Sequence, residues 1–126
     1  MLKEGLEYSS EVVVTKANCA SAVGSGGLDV FATPSMVALM ENAAMNCVAQ
    51  YLPEGSSTVG AEINTTHIKP SALGATIRAV ARLTAVEGRK LTFDVAAYDG
   101  EDYIGKGTHV RFIIDIERFM SKLKSK

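Results

Sequence analysis

Glu41 is the first candidate for chemistry, because it is the only charged residue between Asp29 and Glu54 in a stretch that otherwise predicts a buried helix. At about 100° per residue, its side chain falls on an apolar helix face and outside an uncharged polar stripe. The apolar face contains Val37, Met45, Val48 and Leu52, and the polar stripe contains Asn42, Asn46 and Gln50. An unpaired carboxylate in an apolar setting is costly, so Glu41 is predicted to have a partner or a catalytic task. The alternative is an ion pair or a helix edge in water.

Thr33 and His67 supply a hydroxyl and an imidazole that could act with this carboxylate. Thr33-Pro34 predicts a helix start, since threonine can cap free backbone N–H groups and proline suits the first turn. His67 lies near the end of a predicted strand, residues 58–70. It shares a strand face with Val59, Ala61 and Ile63. Hydroxyl, carboxylate and imidazole together can hydrolyse an acyl compound, although His67 alone also fits a structural histidine of the core or sheet edge.

The elements that must position these residues are predicted from two periods in the spacing of apolar residues. Residues 6–15 predict a first strand, residues 17–28 predict a Gly-rich loop, and a helix is predicted from Thr33 to about Tyr51. From residue 58 onward the period changes to two, which predicts four further strands. These cover residues 58–70, 75–86, 91–98 and 103–116. Short turns between the last three leave no room for crossover helices, so the strands are predicted to be antiparallel.

The strand faces and the helix together predict an α+β fold. In the predicted strand 75–86, one face carries Ile77, Ala79, Ala81, Leu83 and Ala85. In the next strand, 91–98, one face carries Leu91, Phe93, Val95 and Ala97. One N-terminal strand cannot cover an apolar helix, so we predict a single domain over residues 1–126 in which an antiparallel sheet wraps around one long central helix. The basic residues at 118–126 predict a short solvated tail.

Composition excludes several classes of protein. The 126 residues carry a net charge of −1, and 47% are hydrophobic, which suits a globular domain and offers nucleic acid no basic surface. No signal peptide or membrane-spanning run is recognised, so a cytoplasmic location without a membrane partner is expected. Cys19 and Cys47 form no Cys-x-x-Cys pair and are predicted to be reduced thiols. His67 and His109 lack the spacing of zinc ligands, and no metal or other cofactor is predicted.

Five segments of the chain together resemble the hot-dog thioesterases of the fluoroacetyl-CoA thioesterase-like family. They are residues 29–34, 36–41, 60–67, 85–89 and 105–111. The resemblance implies a hot-dog fold, a homodimer with two active sites at its interface, and hydrolysis of a short acyl-CoA substrate. It also implies a catalytic triad of Thr33, Glu41 and His67, with the family's spacing kept, and a substrate site lined by Gly60 and Arg111.

Two catalytic routes fit these residues, and the sequence does not choose between them. In one, Glu41 attacks the thioester carbonyl and water opens the mixed anhydride with help from His67; in the other, Glu41 or His67 deprotonates the attacking water. The Thr33 hydroxyl is expected to hold Glu41 or the substrate, and the backbone N–H of Gly60 is the candidate oxyanion donor. Arg111 is expected to face the CoA phosphate or pantetheine, the alternative being a solvated strand arginine.

The loop at 17–28 departs from the family pattern because it contains no aromatic residue. Members selective for the fluorinated acyl group resemble one another in an aromatic lid at this place. A lid of small residues predicts a mobile cover and broad selectivity among short acyl chains. Two other functions stay open: a non-catalytic module that binds acyl-CoA, and an acyl-CoA hydratase on the same fold. A hydratase would need an Asp/His pair at the helix start, where Thr33 and Ser35 stand.

Overall fold

The long helix lies against one face of a five-stranded antiparallel sheet in the computed structural model, which describes residues 1–126. The strands are β1 (Glu7–Val13), β2 (Ser56–Thr65), β3 (Thr76–Glu87), β4 (Lys90–Asp99) and β5 (Asp102–Asp115). The helices are α1 (Ala20–Val23), α2 (Thr33–Ala49) and α3 (Ile116–Lys124). The sheet order is β1-β3-β4-β5-β2, so β1 and β2 are its edges. The predicted order of one strand, one long helix and four strands is confirmed.

The core forms between α2 and the central strands, where the two sequence periods predicted it. Alternate residues of β3 and β4 are at most 2% exposed: Ile77, Ala79, Ala81, Leu83, Leu91, Phe93, Val95 and Ala97. The helix buries residues three and four apart: Met36, Leu39, Met40, Ala43, Ala44, Cys47 and Val48. Glu41 is half-buried beside this stripe, on the flank of α2 that meets β2. The sheet therefore holds the helix in a fixed rotation, and with it the carboxylate.

A β-bulge in β2 corrects the predicted face of that strand. The register of β2 against β5 shifts between Gly60 and Glu62, which leaves one extra residue on β2. An extra residue reverses the alternation of side chains. Thr58 and Gly60 consequently lie toward α2 before the bulge, and Ile63 packs against the core after it. The prediction that Val59, Ala61 and Ile63 share one face is wrong for this reason.

A second bulge, in β3, has the same effect on the end of that strand. The register of β3 against β4 shifts between Leu83 and Ala85. Val86 packs against the core beyond the shift, and Ala85 does not continue the buried face. The predicted face is thus confirmed from Ile77 to Leu83 and wrong at Ala85.

The segment 17–28, which we call the lid, is more ordered than the predicted loop. Lys16–Asn18 forms a 3₁₀ turn and is followed by α1. Backbone N–H groups of Ala20 and Ser21 donate to carbonyls of Val30 and Leu28, so the segment closes on itself. Val23 and Leu28 are its exposed large apolar side chains. The lid therefore lies beside the start of α2, where Ala20 and Ser25 share a pocket with Thr33, and it contains no aromatic ring.

The C-terminal residues form a helix where a solvated tail was predicted. Asp115 caps α3 by accepting a hydrogen bond from the backbone N–H of Arg118 at 3.0 Å. Ile116, Met120 and Leu123 recur on one side of the helix and remain exposed. The prediction rested on the basic residues of this segment and overlooked the helical spacing of its apolar residues. None of the three helices has both the length and the apolar character needed to cross a membrane.

Candidate active site

Thr33 and His67 meet at the start of α2. The helix begins at Thr33, but Ala32 occupies the cap position and no side chain caps the helix. The Thr33 Oγ1 atom lies 2.7 Å from Nδ1 of His67, two residues beyond the end of β2. The predicted capping role of Thr33 is wrong, because its hydroxyl is engaged by the imidazole.

Burial favours the neutral form of His67 beside this hydroxyl. Burial lowers the pKa of its imidazole, and the Lys69 backbone offsets part of that effect. Its Nε2 atom is buried and has no hydrogen-bond partner of good geometry. A proton on Nε2 leaves Nδ1 as the acceptor of the Thr33 O–H group. The pair lines an open pocket of about 230 Å³ that it shares with lid residues Ala20 and Ser25.

Glu41 lies against Gly60, in a second group of residues. A Cβ atom at Gly60 would be 2.8 Å from Oε2 of Glu41, closer than a side chain tolerates, so only glycine leaves room for the carboxylate there. The two residues line an open pocket of about 420 Å³ with Ala38 and Met45. The only ion pair of the structure joins Lys69 and Asp102. The Glu41 carboxylate is therefore not held by a salt bridge within the protomer.

Arg111 lies in the interior beside this carboxylate. It is 6% exposed, and its guanidinium donates from Nε to Oγ1 of Thr58 at 2.8 Å, from Nη2 to the Thr58 carbonyl at 2.9 Å, and from Nη1 to Nε2 of His109 at 3.2 Å. Burial lowers the pKa of the guanidinium and Glu41 raises it, and arginine stays charged in such settings. The alternative of a solvated strand arginine is wrong. Its positive charge is buried without an anion in direct contact.

The predicted residues thus fall into two groups within one protomer. Thr33 and His67 form the first, and Glu41, Gly60 and Arg111 form the second. Thr33 and Glu41 are eight residues apart on one helix, which corresponds to about 12 Å along the axis. The expected contact between Thr33 and Glu41 is therefore not made inside the protomer.

Sequence reasoning overlooked Thr58 and His109, which hold the Arg111 guanidinium. Both are buried, at 5% and 1% exposure. A signal for His109 existed, since it lies two residues before Arg111 on the same face of the last predicted strand. Thr58 gave no such signal, because its contact with Arg111 depends on how β2 pairs with β5.

Other parts of the surface offer no comparable chemistry. No group of three or more His, Cys, Asp or Glu side chains is arranged to hold a metal ion. The largest surface pocket, about 640 Å³, lies among Arg78, Asp94 and Lys106 on the opposite face of the sheet and includes none of the predicted site residues. The buried polar groups that converge on a carboxylate are a stronger indication of an active site than this volume.

Comparison with known proteins places the chain among thioesterases. Residues 14–117 match a family described as fluoroacetyl-CoA-specific thioesterase. The chain is 44% identical over 98 residues to the fluoroacetyl-CoA thioesterase of Streptantibioticus cattleyicolor, covering 78% of this chain and 70% of that protein. The crystal structure of the fluoroacetyl-CoA thioesterase FlK matches with a TM-score of 0.93 and 35% identity, over 100% of this chain and 98% of that one. A thioesterase superfamily member from Thermus thermophilus matches with a TM-score of 0.90 and 29% identity, over 98% of this chain and 91% of that one. The predicted hot-dog fold is confirmed.

Proposed function

We propose that this chain converts short-chain acyl-CoA to the free acid and CoA with broad acyl selectivity. The premise is that the chain belongs to the fluoroacetyl-CoA-specific thioesterase family and is a thioester hydrolase. The observation that carries this proposal is the Glu41 carboxylate. It lies against Gly60, beside the buried charge of Arg111, and no salt bridge occupies it. A carboxylate in that position can act on a carbonyl carbon or on a water molecule.

The reaction needs a base or nucleophile, a stabilised oxyanion and a protonated leaving group. In the route with water, a proton passes from water to Glu41 while the oxygen bonds to the carbonyl carbon; the C–S bond then breaks and CoA leaves as a thiolate that takes up a proton. In the covalent route, Glu41 attacks the carbonyl carbon, the C–S bond breaks and CoA leaves as a thiolate that takes up a proton; water then opens the mixed anhydride, releasing the acid and restoring the Glu41 carboxylate. In both, the charge of Arg111 and the backbone N–H of Gly60 stabilise the negative charge that develops on the carbonyl oxygen.

The catalytic unit is proposed to be a homodimer with composite sites. Within a protomer the two groups of residues are about 12 Å apart along α2, so one acyl group cannot contact both. A twofold axis passing beside α2, level with the midpoint between Thr33 and Glu41, would place Thr33 and His67 of one protomer beside Glu41 of the other. The edge strand β2 supports this arrangement, because its outer backbone groups are free to pair with a second sheet.

Breadth of acyl selectivity is proposed from the lid. Its exposed apolar groups are Val23 and Leu28, and its other side chains are small or polar. Such a cover gives few contacts that distinguish one small substituent from another. The same lid is closed by backbone hydrogen bonds, so its permissiveness is attributed to side-chain size and not to disorder.

A test of function compares the wild type with Glu41→Gln in an assay of thiol release from acetyl-, propionyl- and butyryl-CoA without added metal. We expect hydrolysis by the wild type and a loss in kcat of about a hundredfold or more in Glu41→Gln, with a smaller change in KM. Glu87→Gln, at an exposed position at the end of β3, is the matched control and should keep its activity.

Two outcomes would contradict the proposal. Binding of acyl-CoA without thiol release would favour the non-catalytic module that the sequence left open. Turnover that survives in Glu41→Gln would assign the chemistry to other residues. A hydratase is disfavoured by Thr33 at the helix start, where the hydroxyl contacts His67 and no acidic residue lies in the first turn.

A further inference from the structure

His109 is the most deeply buried ionisable side chain near the proposed site, at 1% exposure, and the proposed reaction leaves it without a role. Its imidazole lies on β5, where Nε2 is 3.2 Å from Nη1 of Arg111 and the ring is tilted by 31° against the Phe93 ring, with the two centroids 6.1 Å apart. None of the buried polar atoms of His109, Arg111 or Thr58 lacks a hydrogen-bond partner. A buried network in which every polar atom has a partner restricts the geometry of its members.

The partners of His109 fix its tautomer. Nδ1 lies 2.7 Å from the backbone carbonyl of Glu62, and since a carbonyl only accepts, Nδ1 carries the proton. Nε2 lies 3.2 Å from Nη1 of Arg111, and since a guanidinium only donates, Nε2 presents its lone pair. Both contacts specify the same neutral ring. Burial and the Arg111 charge lower the pKa of His109, which agrees with this assignment.

The network spans the bulge of β2. Arg111 pairs with Gly60 across the strands and sends its side chain to Thr58, before the bulge; His109 bonds to the carbonyl of Glu62, after it. Gly60 lies between these anchor points. A Cβ atom there would be 2.8 Å from the Glu41 carboxylate, 3.3 Å from the His109 ring and 3.4 Å from Nη1 of Arg111. One set of hydrogen bonds therefore determines where the bulge, the guanidinium and the carboxylate lie relative to one another.

We propose that His109 is a positioning residue for thioester hydrolysis: as the neutral Nδ1–H tautomer, it accepts a hydrogen bond from Arg111 and so holds the guanidinium beside Gly60 and Glu41. This inference rests on the proposed function. His109 does not touch the substrate. Without its acceptor, Nη1 has no partner, and the planar guanidinium can turn as a whole, lengthening its two bonds to Thr58 and moving away from the carboxylate.

The decisive comparison is His109→Gln against His109→Asn. A glutamine amide oxygen reaches the place of Nε2 and can accept from Arg111, whereas an asparagine amide reaches only the place of Nδ1 and can serve only Glu62. We expect His109→Asn to lower kcat about tenfold to a hundredfold, as for the loss of one hydrogen bond to a charged group, with little change in KM. His109→Gln should recover most of that loss. Equal kcat values in the two variants, measured with matched melting temperatures, would overturn the inference.

A double-mutant cycle with Arg111→Lys tests whether His109 acts through Arg111. Lysine cannot reproduce the planar fork, so the acceptor at position 109 no longer has the same partner. We expect His109→Asn to cause no further loss of kcat in the Arg111→Lys background. Losses that add in full would show that His109 acts independently of Arg111 and would contradict the proposal.

Nitrogen NMR decides the tautomer of His109 without altering His109 and without relying on activity. The chain has two histidines, so a His67→Asn sample assigns the remaining ring to His109. Near neutral pH we expect a protonated Nδ1 and a lone pair on Nε2. A proton on Nε2 would refute the network as described. A wild type that hydrolyses no acyl-CoA would refute the proposed function instead, so the two failures are distinguishable.

Discussion

Thr33 and His67 are joined by a 2.7 Å hydrogen bond between Oγ1 and Nδ1, while the Glu41 carboxylate lies about two helical turns further along α2 against Gly60. The three side chains of the predicted triad are therefore divided between two places in one protomer. A single thioester can use all three only if the second place is supplied by another copy of the chain.

Complementation between inactive variants should reveal this division. Glu41→Gln and His67→Asn are each expected to be inactive as homodimers. A heterodimer of the two, isolated through different affinity tags, contains one site with both native residues and one with neither. We expect it to have about half of the wild-type activity per dimer. An inactive heterodimer, or a fully active monomer at micromolar concentration, would contradict composite sites.

Gly60→Ala should separate catalysis from stability. The added Cβ atom meets the far end of the Glu41 side chain, which can rotate away, and the His109 ring at 3.3 Å, which must give by a few tenths of an ångström, so we expect a small cost to folding. The displaced carboxylate, however, no longer lies where the reaction needs it, and a misplacement of about 1 Å is enough to lower kcat about tenfold to a hundredfold. Steady-state kinetics and thermal unfolding should be measured on the same sample. An unchanged kcat would show that the close contact has no catalytic role, and a large fall in melting temperature would contradict the small cost to folding.

Stability should fall as the solution becomes acidic, through the half-buried His67 and the buried His109. The pKa values of His67 and His109 are lowered in the folded chain from an ordinary value of 6.5, so below that pH the unfolded chain binds more protons. The contribution of the two neutral imidazoles to the free energy of unfolding is complete above the pKa of histidine in the unfolded chain. It is lost as the pH falls below that value. Urea unfolding at about pH 7.5 and about pH 5.5, at one protein concentration, should show a lower free energy of unfolding at the acidic value. His109→Gln should show a weaker dependence; an identical slope would exclude His109 as its source.

Selectivity among acyl groups tests the lid. Ordinary pocket contacts distinguish a methylene or a similar small substituent by about 10–200-fold at most, and this lid provides no aromatic ring to add to them. We therefore expect kcat/KM values for acetyl-, fluoroacetyl-, propionyl- and butyryl-CoA to lie within that span. A preference for fluoroacetyl-CoA over acetyl-CoA beyond about a thousandfold would show that selectivity arises without aromatic residues in the lid, and the proposal of breadth would be wrong.

The sequence by itself determined the order of the five strands and the long helix, and the two hairpins. These follow from local rules: a period of 3.6 residues places Met36, Met40 and Ala43 on one buried stripe, and a period of two buries Phe93 and Val95. Position 60 was also informative, since a glycine within a strand indicates a close approach. The unusual setting of Glu41 could be recognised from the sequence alone, because Glu41 is the only charged residue of the predicted helix.

Only the tertiary structure decided which of these residues meet. The bulge between Gly60 and Glu62 reverses the face of β2, and no pattern within that strand reveals it, because a bulge is defined by the register with β5. Thr33 has the sequence of a helix cap, yet its hydroxyl contacts a residue 34 positions away. The anchoring of Arg111 by Thr58, 53 positions away, depends on the same strand pairing. Periodicity shows which side of one element faces an apolar layer. Hydrogen bonds between distant side chains depend instead on where two elements lie relative to each other. Those relative positions are determined only when the whole sheet packs on the helix.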